Sequence, residues 1–268
     1  MLEIIAKRQF DLMYIWFDIA FLVLFAGLLL WQKKYATIVV GLIFGAVYML
    51  VDYGIFHLAT HSREIFNGYS MFWVLLWMSM SYGFTNFAWI WLWISKDRHL
   101  LEWSLLISFW WLCCPLLANT FSYGAAPVII QRTTNAYHGY MALILFIGYL
   151  GVIFWNLKAK SKETSVNLPR LLAIGILVQF AWELALLLGG IRSAGFESFS
   201  DKILTLVVNS LLETNLGMPY IYFIFIFFSS GFTEKLKKRE HKATFLETLC
   251  ENNMRNVGDD MQNDPYLG

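Results

Sequence analysis

The chain has 268 residues, 58% of them hydrophobic and only 15% charged, with a formal net charge of +1. Its mean hydropathy of +0.55 excludes an ordinary soluble domain and points to a polytopic membrane protein. The near-neutral charge also argues against a nucleic-acid partner.

Seven apolar runs are long enough to cross about 30 Å of hydrocarbon at about 20 residues each. They cover roughly 14–31, 36–58, 71–94, 101–118, 136–155, 171–190 and 204–228. All are expected to be helices, because a helix satisfies its own backbone hydrogen bonds in lipid. The predicted fold is therefore all-α: a seven-helix transmembrane domain over 1–232, then a polar cytosolic tail over 233–268. The tail is expected to be partly disordered. No cleavable signal peptide is evident ahead of the first run.

The first run carries Asp18. The second carries Gly41, Gly45, Tyr48 and Asp52 on one helical stripe, and the Gly41–Gly45 spacing lets a neighbouring helix come close. At its end His57 and His61 are four apart. That spacing suits metal ligation but is a weak pattern alone, and no metal or other cofactor is assigned. The third run has a mixed polar and aromatic stripe of Tyr82, Asn86, Trp89 and Trp93. The fourth holds adjacent Cys113 and Cys114, which read as packing residues rather than a disulfide. Asn135 and His138 sit at the start of the fifth.

The sixth and seventh runs hold the most informative residues. Glu183 lies in LVQFAWELALLLGG and Glu213 in SLLETNLGMPY. A carboxylate in hydrocarbon costs several kcal/mol, so such residues face a bundle interior or a wet cavity. Gln179 shares a face with Glu183, and Asn209 with Glu213, each pair four residues apart. Asn215 and Gly217 follow, and Pro219 is expected to kink the seventh helix and free a carbonyl. Arg192, past Gly189-Gly190, is expected to snorkel at the interface; the alternative is a bidentate grip on an anionic group.

Lysine and arginine set the orientation. Lys7, Arg8, Arg63, Arg132, Arg192 and Lys202 fall on one side, six in all; the other fourteen fall on the opposite side and the tail. The positive-inside rule then places the N-terminus outside and the C-terminus in the cytosol. At about 1.5 Å per residue, Asp18, Asp52, Glu183 and Glu213 lie about 6, 9, 10 and 14 Å below the outer surface. Four helices thus bring acids to one half of the bilayer, which predicts a one-sided polar pocket.

FAWELALL, with Trp182 and Glu183, and LLETNLGMPY, with Glu213, resemble segments of the small seven-span integral-membrane terpene cyclases of fungal meroterpenoid pathways. Those proteins carry a Trp-Glu pair in an apolar helix and a second acid in a later span. The likeness covers these two short segments only. It implies an acid–base cyclase role for Glu183 and Glu213.

The leading expectation is an intramembrane enzyme doing acid–base chemistry on a lipidic or isoprenoid substrate. Its candidate catalytic residues are Glu183, Glu213 and Asp52. Gln179, Trp182, Asn209 and Asn215 are candidate binding residues from the last two spans; Tyr82, Asn86, His57, His138 and Arg192 join them from elsewhere. A proton-coupled transporter or binding protein for a small amphipathic molecule is the alternative. A non-catalytic structural protein, whose polar groups only organise the bundle, is the third. The expected partners are membrane lipids and a small hydrophobic or amphipathic ligand, in a plasma membrane or endomembrane.

Overall fold

Over its described residues, each of the seven apolar runs folds as a helical rod in the computed structural model, which describes residues 6–132, 137–158, 165–192 and 198–229. The rods are α1 (Leu12–Trp31), α2 (Tyr35–Met49) with its π-helical extension Leu50–Ala59, α3 (Met71–Ser79) joined through π-helix Met80–Phe84 to α4 (Thr85–Ile94), α5 (Leu100–Thr120), α6 (His138–Lys158), α7 (Leu168–Leu188) and α8 (Phe199–Ser229). Among the described residues, five are long and apolar enough to cross a membrane: α1, the Tyr35–Ala59 rod, α5, α6 and α7. That is the make-up of a multi-pass membrane protein. Residues up to Phe227 form one packed unit. The polar tail and Asn135 lie outside the described residues.

Local sequence explains the rod ends. The Asp11 side chain accepts from the Met13 amide at 2.7 Å and caps α1. Asn167 does the same for α7 through the Arg170 amide, with Pro169 in the first turn. Gly190, at φ 75°, lets the chain turn away after α7.

Three short strands depart from the all-helical expectation. β1 (Ala6–Phe10), β2 (Arg63–Ile65) and β3 (Val128–Arg132) form an antiparallel sheet in the order β1-β3-β2. Arg8 stands opposite Ile130, and Ile65 opposite the same residue on the other edge. These segments precede α1, follow the second rod and follow α5. The sheet therefore gathers three chain segments at one end of the bundle. The α7–α8 turn joins them, because the Gln9 amide donates to the Ile191 carbonyl at 3.1 Å. Short strands in loops give only a few residues of period-2 pattern, too little to stand out beside seven apolar helices.

Glycine governs the closest helix contacts. A Cβ on Gly45 would lie 2.7 Å from Met80 Sδ, and one on Gly83 would lie 2.8 Å from Gly45 Cα. The expected close approach at Gly41 and Gly45 is thus made, and its partner is the π-helical segment of the third rod. Gly148 of α6 faces Pro219 of α8 at 3.0 Å on the same measure. Here expectation and structure differ: α8 runs through Pro219 without a break, and the proline ring serves as a packing surface.

Candidate functional site

Glu183 is almost wholly buried, at 1% exposure, and it sits between two arginines. Arg8 Nη2 of β1 donates to its Oε1 at 3.3 Å, and Arg192 Nε lies 3.0 Å from its Oε2 as an ion-pair contact without hydrogen-bond alignment. Arg192 therefore turns inward instead of snorkelling. The reason is energetic: a buried carboxylate needs a counter-charge, and the α7–α8 turn carries one within reach.

From Glu183 the polar network runs to Glu213. Gln179 Nε2 donates to Glu183 Oε1 at 3.3 Å and to Glu213 Oε2 at 3.0 Å. Its carbonyl oxygen accepts from Tyr82 Oη at 2.6 Å and from the Thr214 hydroxyl. Tyr82 Oη also lies 3.4 Å from Glu213 Oε2. Helical spacing puts Gln179 and Glu183 on one face of α7. The π-helix at Met80–Phe84 carries Tyr82 to meet them from the third rod.

Asp52 pairs locally. Arg63 Nε and Nη2 both donate to Asp52 Oδ1, at 3.2 and 2.9 Å, and the guanidinium lies 4.2 Å from the Phe56 ring centre. Asp52 sits in the π-helix Leu50–Ala59 and Arg63 begins β2, so strand and wide helical turn are pinned together. π-Helical turns recur at functional sites because the extra residue per turn re-aims side chains. In this protein both π segments contribute to one cavity.

That cavity has a volume of about 390 Å3. Its polar wall holds Arg8, Asp52, Tyr82 and Glu213; its apolar wall includes Phe44, Tyr48, Phe56, Phe87, Tyr140 and Leu216. The size falls in the roughly 300–1,000 Å3 range of small-molecule sites. A second hollow of about 480 Å3 between α1 and α3 is lined by Leu12, Trp16, Trp73 and other uncharged side chains, and no carboxylate reaches it.

The remaining candidates take other places. Trp182 is buried as packing, with its ring 5.0 Å from Trp111 and 5.8 Å from Tyr82. Asn215 ties α6 to α8, accepting from Tyr149 Oη at 3.3 Å. Asn209 is buried on α8. Asn86 is fully buried, and neither of its amide atoms has a hydrogen-bond partner among the described residues. His57 is half-buried beside Tyr53, and His138 opens α6; neither lines the cavity. Asp18 stands apart from the other acids and accepts from Trp77 Nε1 at 2.9 Å. Among the described residues no group of three metal-ligating side chains comes together.

Arg8 and Arg63 escape a sequence-based search because they read as topology charges in loops. The available signal was their position: each is the basic residue just outside a span whose neighbours hold a buried acid. Thr214 carried no signal beyond adjacency to Glu213. No protein family matches this chain, and neither a curated protein nor a solved structure does so.

Proposed function

We propose that this protein is an intramembrane enzyme that performs acid–base chemistry on a lipidic or isoprenoid molecule, with Glu213 as the proton donor and acceptor. The observation that carries this assignment is the position of Glu213: its carboxyl group stands on the wall of an aromatic-lined cavity, oriented by Gln179 Nε2 at 3.0 Å and Tyr82 Oη at 3.4 Å. In its protonated form such a group protonates an alkene or epoxide. The resulting cation is stabilised by the faces of Phe44, Tyr48 and Phe87, each worth about 0.5–2 kcal/mol. Loss of a proton back to Glu213 ends the reaction, so substrate and product are isomers. Glu183 is assigned a different part. Held by Arg8 and Arg192, it anchors Gln179 and thereby positions Glu213.

A further feature favours an enzyme over a transporter. At the end of the cavity away from the strands the lining is apolar: Phe44 and Phe87 stack with ring centres 3.9 Å apart, and Gly217 packs against Phe87. A proton-coupled carrier needs a polar path at that point. The proposal includes seven spans, an outer N-terminus and a cytosolic C-terminus. The buried arginines then lie on the outer side, and Lys34, paired with Asp97 at 2.6 Å, lies on the inner side.

The test is isomerisation in deuterated water. Membranes holding the protein are given isoprenoid alkenes and epoxides, and products of unchanged skeleton formula are followed by mass spectrometry for deuterium uptake. Wild type incorporates deuterium, Glu213→Asp retains part of the activity, and Glu213→Gln loses it. Equal incorporation by Glu213→Gln removes Glu213 from the chemistry.

A further inference from the structure

Access to the cavity differs between its end and its flank. The end near the strands is covered. Arg63 grips Asp52 there, and Phe56 meets Tyr137 edge to face with ring centres 5.1 Å apart. The flank between the Tyr35–Ala59 rod and α6 is open in character. α6 leans on α8, where Gly148 faces Pro219 and Tyr220 Oη donates to the Ile144 carbonyl at 2.9 Å; its buried residues are Gly148 and Val152. Val47, Ile55, Tyr140 and Ile144 line the cavity and are nevertheless 43, 48, 68 and 44% exposed. Exposure alone means only lipid contact in such a chain, as for Val23 on α1. The combination of exposure and cavity lining defines a mouth that faces the bilayer core.

The geometry points to lateral entry of a neutral, single-chain lipid between the Tyr35–Ala59 rod and α6, with its polar end at Glu213 and Tyr82 and its chain in the mouth. The inference rests on the proposed role of this cavity as the ligand site. A neutral head follows from charge. The arginines at the site already face carboxylates, Arg8 on Glu183 and Arg63 on Asp52, so a phosphate would come to rest beside Asp52 and Glu213. One chain follows from a volume of about 390 Å3, near the low end of the range for small-molecule sites.

Photolabelling of the full-length protein in phosphatidylcholine vesicles tests this. The probe is a long-chain primary alcohol carrying a diazirine near its hydroxyl; controls are its phosphate monoester and a short, water-soluble diazirine alcohol. We expect the long alcohol to label Leu216 and its α8 neighbours, with the phosphate labelling them about tenfold less. Ile144→Trp and, independently, Val47→Phe narrow the mouth from lipid-facing positions and lower that labelling while leaving thermal unfolding unchanged. Labelling spread evenly over lipid-facing residues such as Val23 overturns the site. Labelling by the short alcohol that survives both mouth variants overturns lateral entry. Stronger labelling by the phosphate overturns the neutral head. Glu213→Gln separates this inference from the enzymatic one: labelling kept with deuterium exchange lost supports both, whereas wild type that exchanges deuterium but is not labelled overturns lipid entry and leaves the enzymatic reading standing.

Discussion

Asp52 and Arg63 are eleven residues apart in the chain and bonded through two nitrogens in the fold. Both are buried, so removing one takes from the other a counter-charge bonded to it. Arg63→Met is expected to destabilise the protein by about 3–5 kcal/mol in a detergent unfolding experiment, and Asp52→Leu with Arg63→Met to recover most of that loss. A single variant that unfolds like wild type removes the pair from the stability of the site. Glu183 follows the same logic, since Glu183→Gln takes from Arg8 and Arg192 the carboxylate they share. Glu213 differs because it is only partly buried and stands on the cavity wall, with neutral Gln179 and Tyr82 among its hydrogen-bond neighbours. Glu213→Gln is therefore expected to shift stability by no more than about 1 kcal/mol, well below the effect of Glu183→Gln. Equal losses for the two variants contradict the split between an anchoring and a cavity carboxylate.

The two π-helical segments belong to the scale of elements. Met80–Phe84 packs its Gly83 onto Gly45 of α2 so closely that a Cβ has no room, with 2.8 Å to Gly45 Cα. This contact holds the third rod against the second and sets where Tyr82 enters the cavity. Gly83→Val meets backbone instead of a flexible side chain, so the rods must separate. The expected loss is about 1–3 kcal/mol in thermal unfolding. A matched Gly27→Val, at a site with nothing within 4 Å, is expected to be nearly neutral. Similar losses at both positions refute the close-packing account. The glycine spacing on the second run was legible because small residues four apart mark a helix contact. Its partner was not, since a π segment has no sequence signature distinct from an ordinary helical turn.

The whole molecule is organised from one end. Strands β1, β2 and β3 and the α7–α8 turn meet there, and each of β1, β2 and that turn sends one arginine inward: Arg8, Arg63 and Arg192. The cap thus supplies the counter-charges that let acids sit inside helices. Orientation in the membrane is checked with single cysteines in a background where Cys113, Cys114 and Cys250 are replaced. Glu64→Cys, at the exposed position of β2, is expected to react with an impermeant maleimide in intact cells; Ser95→Cys, at the opposite end, reacts only after permeabilisation. The reverse pattern inverts the topology and moves the cavity to the inner half of the bilayer.

Hydropathy alone determined the helices. Seven apolar runs became helical rods, five of them long and apolar enough to cross a membrane, and a helix is how such a segment satisfies its own backbone in lipid. The same patterning singled out Glu183, Glu213 and Asp52, since a carboxylate in such a segment demands an explanation wherever it lies. Which base meets which acid was decided only by the tertiary structure. Arg8 and Glu183 are separated by 175 positions, and Glu213 meets Tyr82 across 131. Such pairings depend on how the rods lean and where the strands return, and no local pattern encodes either. For the same reason four acids, alike in sequence, resolved into one held by arginines from β1 and the α7–α8 turn, one held by the next strand, one bonded to Trp77 and one set on the wall of a cavity.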